Sequence, residues 1–290
     1  MNFAPVLPIN FYPTLDHGTY HLVQSHLIEY ASEETIQWLR ERGAHSKTHT
    51  TILDNGVIEL GVADGDSLLA ATERIKPAIV ILPDAFRDTE GTLNLFDLWM
   101  SDYVELLLEH ATRVMVVPQG ISLGDWCFCA YNMIEPLIAS EVPWCVGVPK
   151  VLDRTTCNGR HAALAWLRQV MGVAESQIHL LGVWHLLDDA LDVVQEFPNL
   201  MGLDTTLPFA HAVSDLYTHE TLEKTNIPEA LWTAPFVEEE HREVTWRAET
   251  NIAYVRQRLL EAQERNVTTA LSRALRQLQV KAQPPTRLLR

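Results

Sequence analysis

Hydrophobic and polar positions along the chain fall into two alternating kinds of segment. Short apolar runs rich in Val, Ile and Leu occur at residues 21–28, 50–54, 78–84, 114–119, 144–149, 178–183 and 200–204. They lack strict polar alternation, which predicts strands buried on both faces, as in parallel sheets. Between them, apolar positions recur at helical spacing over residues 33–42, 66–75, 93–109, 125–139, 160–170 and 187–197. A Pro-rich entry (Pro5, Pro8, Pro13) precedes the first run, and a helical pattern runs from Val244 to about Val280, after the charged start Glu238-Glu239-Glu240-His241-Arg242-Glu243. Repeated strand–helix units in one direction imply an α/β fold, either a (β/α)8 barrel or a doubly wound sheet. A barrel needs an eighth strand. Its only weak candidate is Ala230-Leu231-Trp232-Thr233.

No Gly-x-Gly-x-x-Gly follows the first strand and no P-loop motif occurs, which argues against a dinucleotide site. The expected organisation is one domain over residues 1–240 with a basic C-terminal helical extension over 241–290. In a barrel, chemistry sits at the C-terminal ends of the strands. Here those ends are Leu53-Asp54-Asn55-Gly56, Leu82-Pro83-Asp84, Pro118-Gln119-Gly120, Gly147-Val148-Pro149-Lys150, Leu181-Gly182-Val183 and Gly202-Leu203-Asp204. Each residue alone reads as a turn or a helix cap. Together they would bring three carboxylates, one carboxamide and several glycines to one mouth. Two carboxylates can divide nucleophile and acid/base roles at an anomeric carbon. A further Asp and a Gln can pair with the donor-rich edge of a purine, and glycines let a flat ring approach the backbone. Three Asp could instead hold a divalent metal.

Composition narrows the setting. The chain has 290 residues, 47% of them hydrophobic and 21% charged, as in a soluble protein with a substantial core. No apolar run approaches the ~20 residues that span a bilayer, and the first residues lack a signal-peptide pattern. No membrane association is expected, and a cytoplasmic location is. Cys127, Cys129, Cys145 and Cys157 form no CxxC pair and read as free thiols. The net charge of −16 opposes a generic nucleic-acid surface, yet residues 251–290 hold eight basic residues against two acidic ones, leaving −22 on residues 1–250. A local groove formed by Lys150, Arg154, Arg160 and the C-terminal helix could meet a phosphate backbone.

The order of these motifs resembles that of the tRNA-guanine transglycosylases over roughly residues 53–208. Asp54-Asn55-Gly56-Val57-Ile58-Glu59 is similar to the family's Asp-Ser-Gly-Gly-Phe-Gln run. Pro77 and Asp84 match a Pro followed seven residues later by a base-recognising Asp, Gln119-Gly120 match a Gln-Gly, Gly147 a strand Gly, and Asp204 with Pro208 the nucleophilic Asp four residues before a Pro. The resemblance implies a TIM barrel with Asp204 as nucleophile and Asp54 as general acid/base. It also implies that Asp84, Gln119 and the Gly147 backbone hold the base, beside Asn55, Gly56 and Gly120, with no cofactor and no catalytic metal. The family's zinc motif has no counterpart, since no Cys follows Cys157, and Pro208-Phe209-Ala210 stands where the tRNA enzymes have Pro-Thr-Arg. Val57 replaces a Gly of the first motif. The chain is therefore more similar to the phage-type DNA-guanine transglycosylases, which implies a barrel without a zinc subdomain, DNA as partner and a 7-deazaguanine such as 7-cyano-7-deazaguanine as incoming base. A tRNA substrate is the alternative, and a homodimer is possible. Two other classes fit the residues less well: a metal-dependent TIM-barrel hydrolase using the same Asp residues with some of the 12 His, and a non-catalytic binding barrel.

Overall fold

Eight parallel strands form the centre of the protein. A computed structural model describes residues 1–15, 18–61, 65–155, 159–182, 187–219 and 225–282. The strands are β1 (Asn2–Pro5), β2 (Tyr20–Gln24), β3 (Thr50–Asp54), β4 (Ile79–Ile81), β5 (Arg113–Val116), β6 (Trp144–Pro149), β7 (Ile178–Leu181) and β8 (Gly202–Thr205). They hydrogen-bond in the order β1-β8-β7-β6-β5-β4-β3-β2, every ladder parallel. β1 also lies against β2 without a ladder between them, so the barrel is nearly closed.

The helices between the strands are α1 (Glu33–Glu41), α2 (Val57–Leu60), α3 (Gly65–Ile75), α4 (Thr89–Asp102), α5 (Val104–Leu108), α6 (Leu123–Ala139), α7 (Leu152–Thr155), α8 (Gly159–Gln169) and α9 (Leu187–Glu196). After β8 come α10 (Leu207–Val213), α11 (Glu229–Thr233) and α12 (Glu238–Ala282). This is a TIM-like (β/α)8 barrel with a C-terminal helical extension.

The eighth strand is not where the sequence pointed. Residues 230–233 belong to α11, and the missing strand is the first one, β1, inside the Pro-rich entry. Pro5 is tolerated because β1 bonds through one edge only, to β8. A missing N–H on the open side costs no ladder bond. The expected single helix over 93–109 begins earlier and breaks at Tyr103. Asp88 caps its start, its Oδ1 accepting from the Gly91 N–H at 3.0 Å.

Side-chain alternation along the strands makes two cores. Outward residues such as Val23, Leu53, Val80, Val114, Val146, Leu180 and Leu203 pack under the helices. Inward residues Ala4, Tyr20, Leu22, Ile52, Ile79, Ile81, Met115 and Cys145 fill the barrel. The same period of two carries Asp54 and Asp204 inward, each two residues beyond an inward position, Ile52 and Gly202. The wall beneath the mouth is apolar, so carboxylates there are few and specifically placed.

α12 is 45 residues long, about 65–70 Å at 1.5 Å per residue. Ala248, Ile252, Val255, Leu259 and Ala262 are buried along it at alternating spacings of four and three. That stripe seals it against α9 and α10. Among the described residues no helix is long and apolar enough to cross a membrane.

Candidate functional site

A pocket of about 250 Å³ opens at the C-terminal ends of the strands. Asp54, Asn55, Asp84, Gln119 and Asp204 all line it, with Gln24, Phe86, Lys150, Gly182 and Thr205. Five of the eight residues singled out from the sequence thus meet in one place, from the ends of four different strands. The other three do not line it. Gly56 adopts φ 73° at the start of α2, where a Cβ would meet His26 Nδ1 at 2.8 Å. Gly120 packs against the first turn of α6, a Cβ there lying 2.6 Å from the Trp126 nitrogen. Gly147 sits mid-strand in β6, with Leu181, Val117 and Met115 occupying the space its missing side chain leaves. These glycines shape the loops and the floor under the pocket.

One wall is a hydrogen-bonded cluster. Asn55 Nδ2 donates to Asp84 Oδ1 at 2.7 Å and to the Leu82 carbonyl at 2.8 Å. Gln119 Nε2 donates to Asp84 Oδ2 at 2.5 Å. The backbone orients both amides: Asn55 Oδ1 accepts from the Val57 N–H, and Gln119 Oε1 from the Arg87 N–H, which leaves their NH₂ groups facing the carboxylate. Arg87 holds φ 61°, an uncommon left-handed conformation for a side-chain-bearing residue, with its N–H in that bond. Burial raises the Asp84 carboxyl to a pKa of about 6, against the pull of the two amide donors. The two amides and the Asp84 backbone N–H leave part of the carboxylate's accepting capacity unused at the pocket. Phe86 and Ile58, both largely exposed, border the same pocket and offer apolar faces to a flat ring.

The opposite wall carries Asp204. Its Oδ1 accepts from His179 Nε2 at 3.0 Å and from the Gly182 N–H at 3.1 Å. Behind it, His179 Nδ1 meets the Tyr20 hydroxyl at 2.8 Å. Sequence reasoning gave His179 no role. The available signal was a polar residue within the apolar strand Ile178–Leu181, at an inward position by alternation with Leu181. Asp54 ends β3 opposite Gln24 in register.

Of the residues expected to form a basic groove, Lys150 lines the pocket, but Arg160 does not reach its surface. Arg160 is fully buried, its Nε bound to Asp153 Oδ2 at 2.5 Å and its Nη1 to the Gly182 carbonyl at 2.9 Å. It holds Gly182, directly after β7, and is withdrawn from any surface. The side chains of Arg154, Arg273, Arg276 and Lys281, and the whole of Arg287 and Arg290, lie outside the described residues. Arg258, on α12, pairs with Asp188 at 3.7 Å.

No protein-family model matches the chain, and no curated protein matches it. A functional reading therefore rests on the chemistry of the pocket itself.

Proposed function

We propose that the protein is a guanine transglycosylase that exchanges guanine in DNA for a 7-deazaguanine base. The observation that supports this best is the division of the pocket: an inward carboxylate, Asp204, on one wall and the amide-oriented Asp84 cluster on the other. A site for base exchange needs one face that binds a purine edge and another that presents a nucleophile to the sugar. About 250 Å³ suits a single base better than a larger cofactor, since ligand pockets commonly run ~300–1,000 Å³.

In this reading Asp84 accepts from the N–H groups of the guanine edge through its remaining lone pairs, and Phe86 stacks on the ring. Asp204 attacks the anomeric carbon. The C1′–N9 bond breaks, its electron pair leaves with the base, and Asp54 supplies the proton that makes the departing guanine neutral. The incoming 7-deazaguanine gives its N9 proton to Asp54 and attacks C1′, releasing the Asp204 carboxylate. Atoms and charge balance without a metal or redox partner. A duplex substrate must first have the target nucleotide flipped out, at about a few kcal/mol.

The hydrolase reading is weaker. Among the described residues no group of three or more His, Cys, Asp or Glu is placed to hold a metal ion.

The test is base exchange. Labelled guanine should enter guanine-containing DNA with the wild-type protein and not with Asp204→Ala. Incorporation into tRNA alone would keep the chemistry and change the substrate. Incorporation into neither would overturn the proposal.

A further inference from the structure

The structure assigns to Tyr20 and His179 the role of a buried relay that orients Asp204 and leaves one of its oxygens, Oδ2, as the attacking atom. The inference rests on the transglycosylase reading for what the attack does, but the relay itself stands on geometry.

The chain of donors has one direction. Tyr20 is buried, and among the described residues its hydroxyl meets only His179 Nδ1, at 2.8 Å. A buried O–H that donates to nothing is costly, so the phenol donates to Nδ1, which must be bare. Burial also holds the Tyr20 phenol well above its ordinary pKa, keeping that proton in place. The remaining ring proton of His179 is on Nε2 and points at Asp204 Oδ1, 3.0 Å away. A carboxylate can only accept there. His179 is therefore the neutral Nε2–H tautomer, completely buried, with both nitrogens committed.

Oδ1 receives a second donor from the backbone. Gly182 adopts φ 69°, a turn that aims its N–H at Oδ1 from 3.1 Å. Two donors converge on Oδ1, while no donor among the described residues reaches Oδ2. Charge is stabilised on one oxygen and the other is left unencumbered in the pocket.

The position of Tyr20 is itself fixed by sequence. Its ring lies against Gly202 in β8, where a Cβ would come 2.6 Å from Tyr20 Cε1. The glycine two residues before Asp204 thus makes room for the phenol that sets the histidine that aims the aspartate. His179 and Tyr20 touch no reacting atom in this scheme. They are positioning residues.

The experiment pairs kinetics with tautomer measurement. In the base-exchange assay, His179→Leu should lower kcat by about 10- to 100-fold, the loss of one hydrogen bond to a charged group, with KM for the free base changed by less than about threefold. His179→Gln, whose side-chain NH₂ reaches the Nε2 position, should recover most of that loss, which a merely space-filling role would not allow. Nitrogen-15 NMR of the full-length wild-type protein should show His179 protonated at Nε2 and bare at Nδ1, and Tyr20→Phe should lose that fixed tautomer. Thermal unfolding of each variant separates misfolding from misorientation, and the conservative Tyr20→Phe keeps the test open if His179→Leu does not fold. Wild-type kcat in His179→Leu, or an Nδ1–H or imidazolium signal in the wild type, would overturn the relay. An Nε2–H signal in a protein that exchanges no base would retain the relay and remove the transglycosylase reading.

Discussion

Asp84 is the residue whose chemistry is most tied to pH. Only its ionised form can accept two hydrogen bonds from a guanine edge, and burial has moved its pKa to about 6. Guanine affinity should therefore be flat above neutrality and fall about tenfold per pH unit below 6, read by calorimetric titration between pH 5 and 8. A flat profile through pH 5 would remove Asp84 from base recognition. The stability linkage has the opposite sense: the folded protein holds a proton that the unfolded chain releases between 3.8 and about 6. The contribution of Asp84 to stability is fullest below 3.8 and is lost as pH rises through 6. Gly202 gives a second prediction at this scale. Gly202→Ala would force the Tyr20 ring to move and should cost about 1–3 kcal/mol in urea unfolding, a typical penalty for overpacking. Which residues matter was half legible in the sequence. Asp54, Asn55, Asp84, Gln119 and Asp204 stand at strand ends, where a polar residue after an apolar run is conspicuous. His179 lies inside a strand, where its polar atoms look like a core exception, and Tyr20 opens β2 one residue before the apolar run, so neither stands out until the three-dimensional pairing is known. Gly56, Gly120 and Gly147 stand out in sequence as freely as Asp204 does, yet Gly56 and Gly147 accommodate neighbouring side chains and Gly120 the backbone at the start of α6.

At the scale of elements, the strands that read clearly were short apolar runs followed by a helical pattern. β1 escaped because Pro5 and Pro8 punctuate it and because one-sided pairing relaxes the demands on its sequence. β2 ends at Gln24, four residues before the apolar run does, because the chain turns into a short helical stretch at Ser25–Tyr30. Apolar periodicity cannot mark that switch, since both conformations bury Leu27 and Ile28. The long helix α12 was legible as a helix, but not its docking, which depends on a stripe repeating at four and three. Ile252, buried in that stripe, should cost about 2–5 kcal/mol on replacement by Ala. Exposed Leu260, on the same helix, should change stability by less than about 0.5 kcal/mol. Equal effects at the two positions would mean that α12 does not pack on α9 and α10 as described.

The whole molecule carries a net charge of −16, and the proposed polyanionic substrate would approach it against that field. In sequence, residues 251–290 are the basic counterweight, and Arg160 adds nothing at the pocket because Asp153 and the Gly182 carbonyl hold it inside. If the substrate is DNA, binding should weaken steeply with salt, the slope of log affinity against log salt reporting how many phosphates are neutralised. Binding that is indifferent to salt would point away from a nucleic-acid partner. The proposed chemistry turns on Asp204 as the nucleophile, and covalent capture measures that role most directly. Wild-type protein mixed with guanine-containing DNA and quenched in denaturant should yield an adduct with the mass of protein plus a DNA strand that has lost one guanine. The adduct should vanish in Asp204→Asn and be discharged by free 7-deazaguanine base. An adduct that persists in Asp204→Asn, or exchange that proceeds with no adduct formed through residue 204, would contradict Asp204 as the nucleophile.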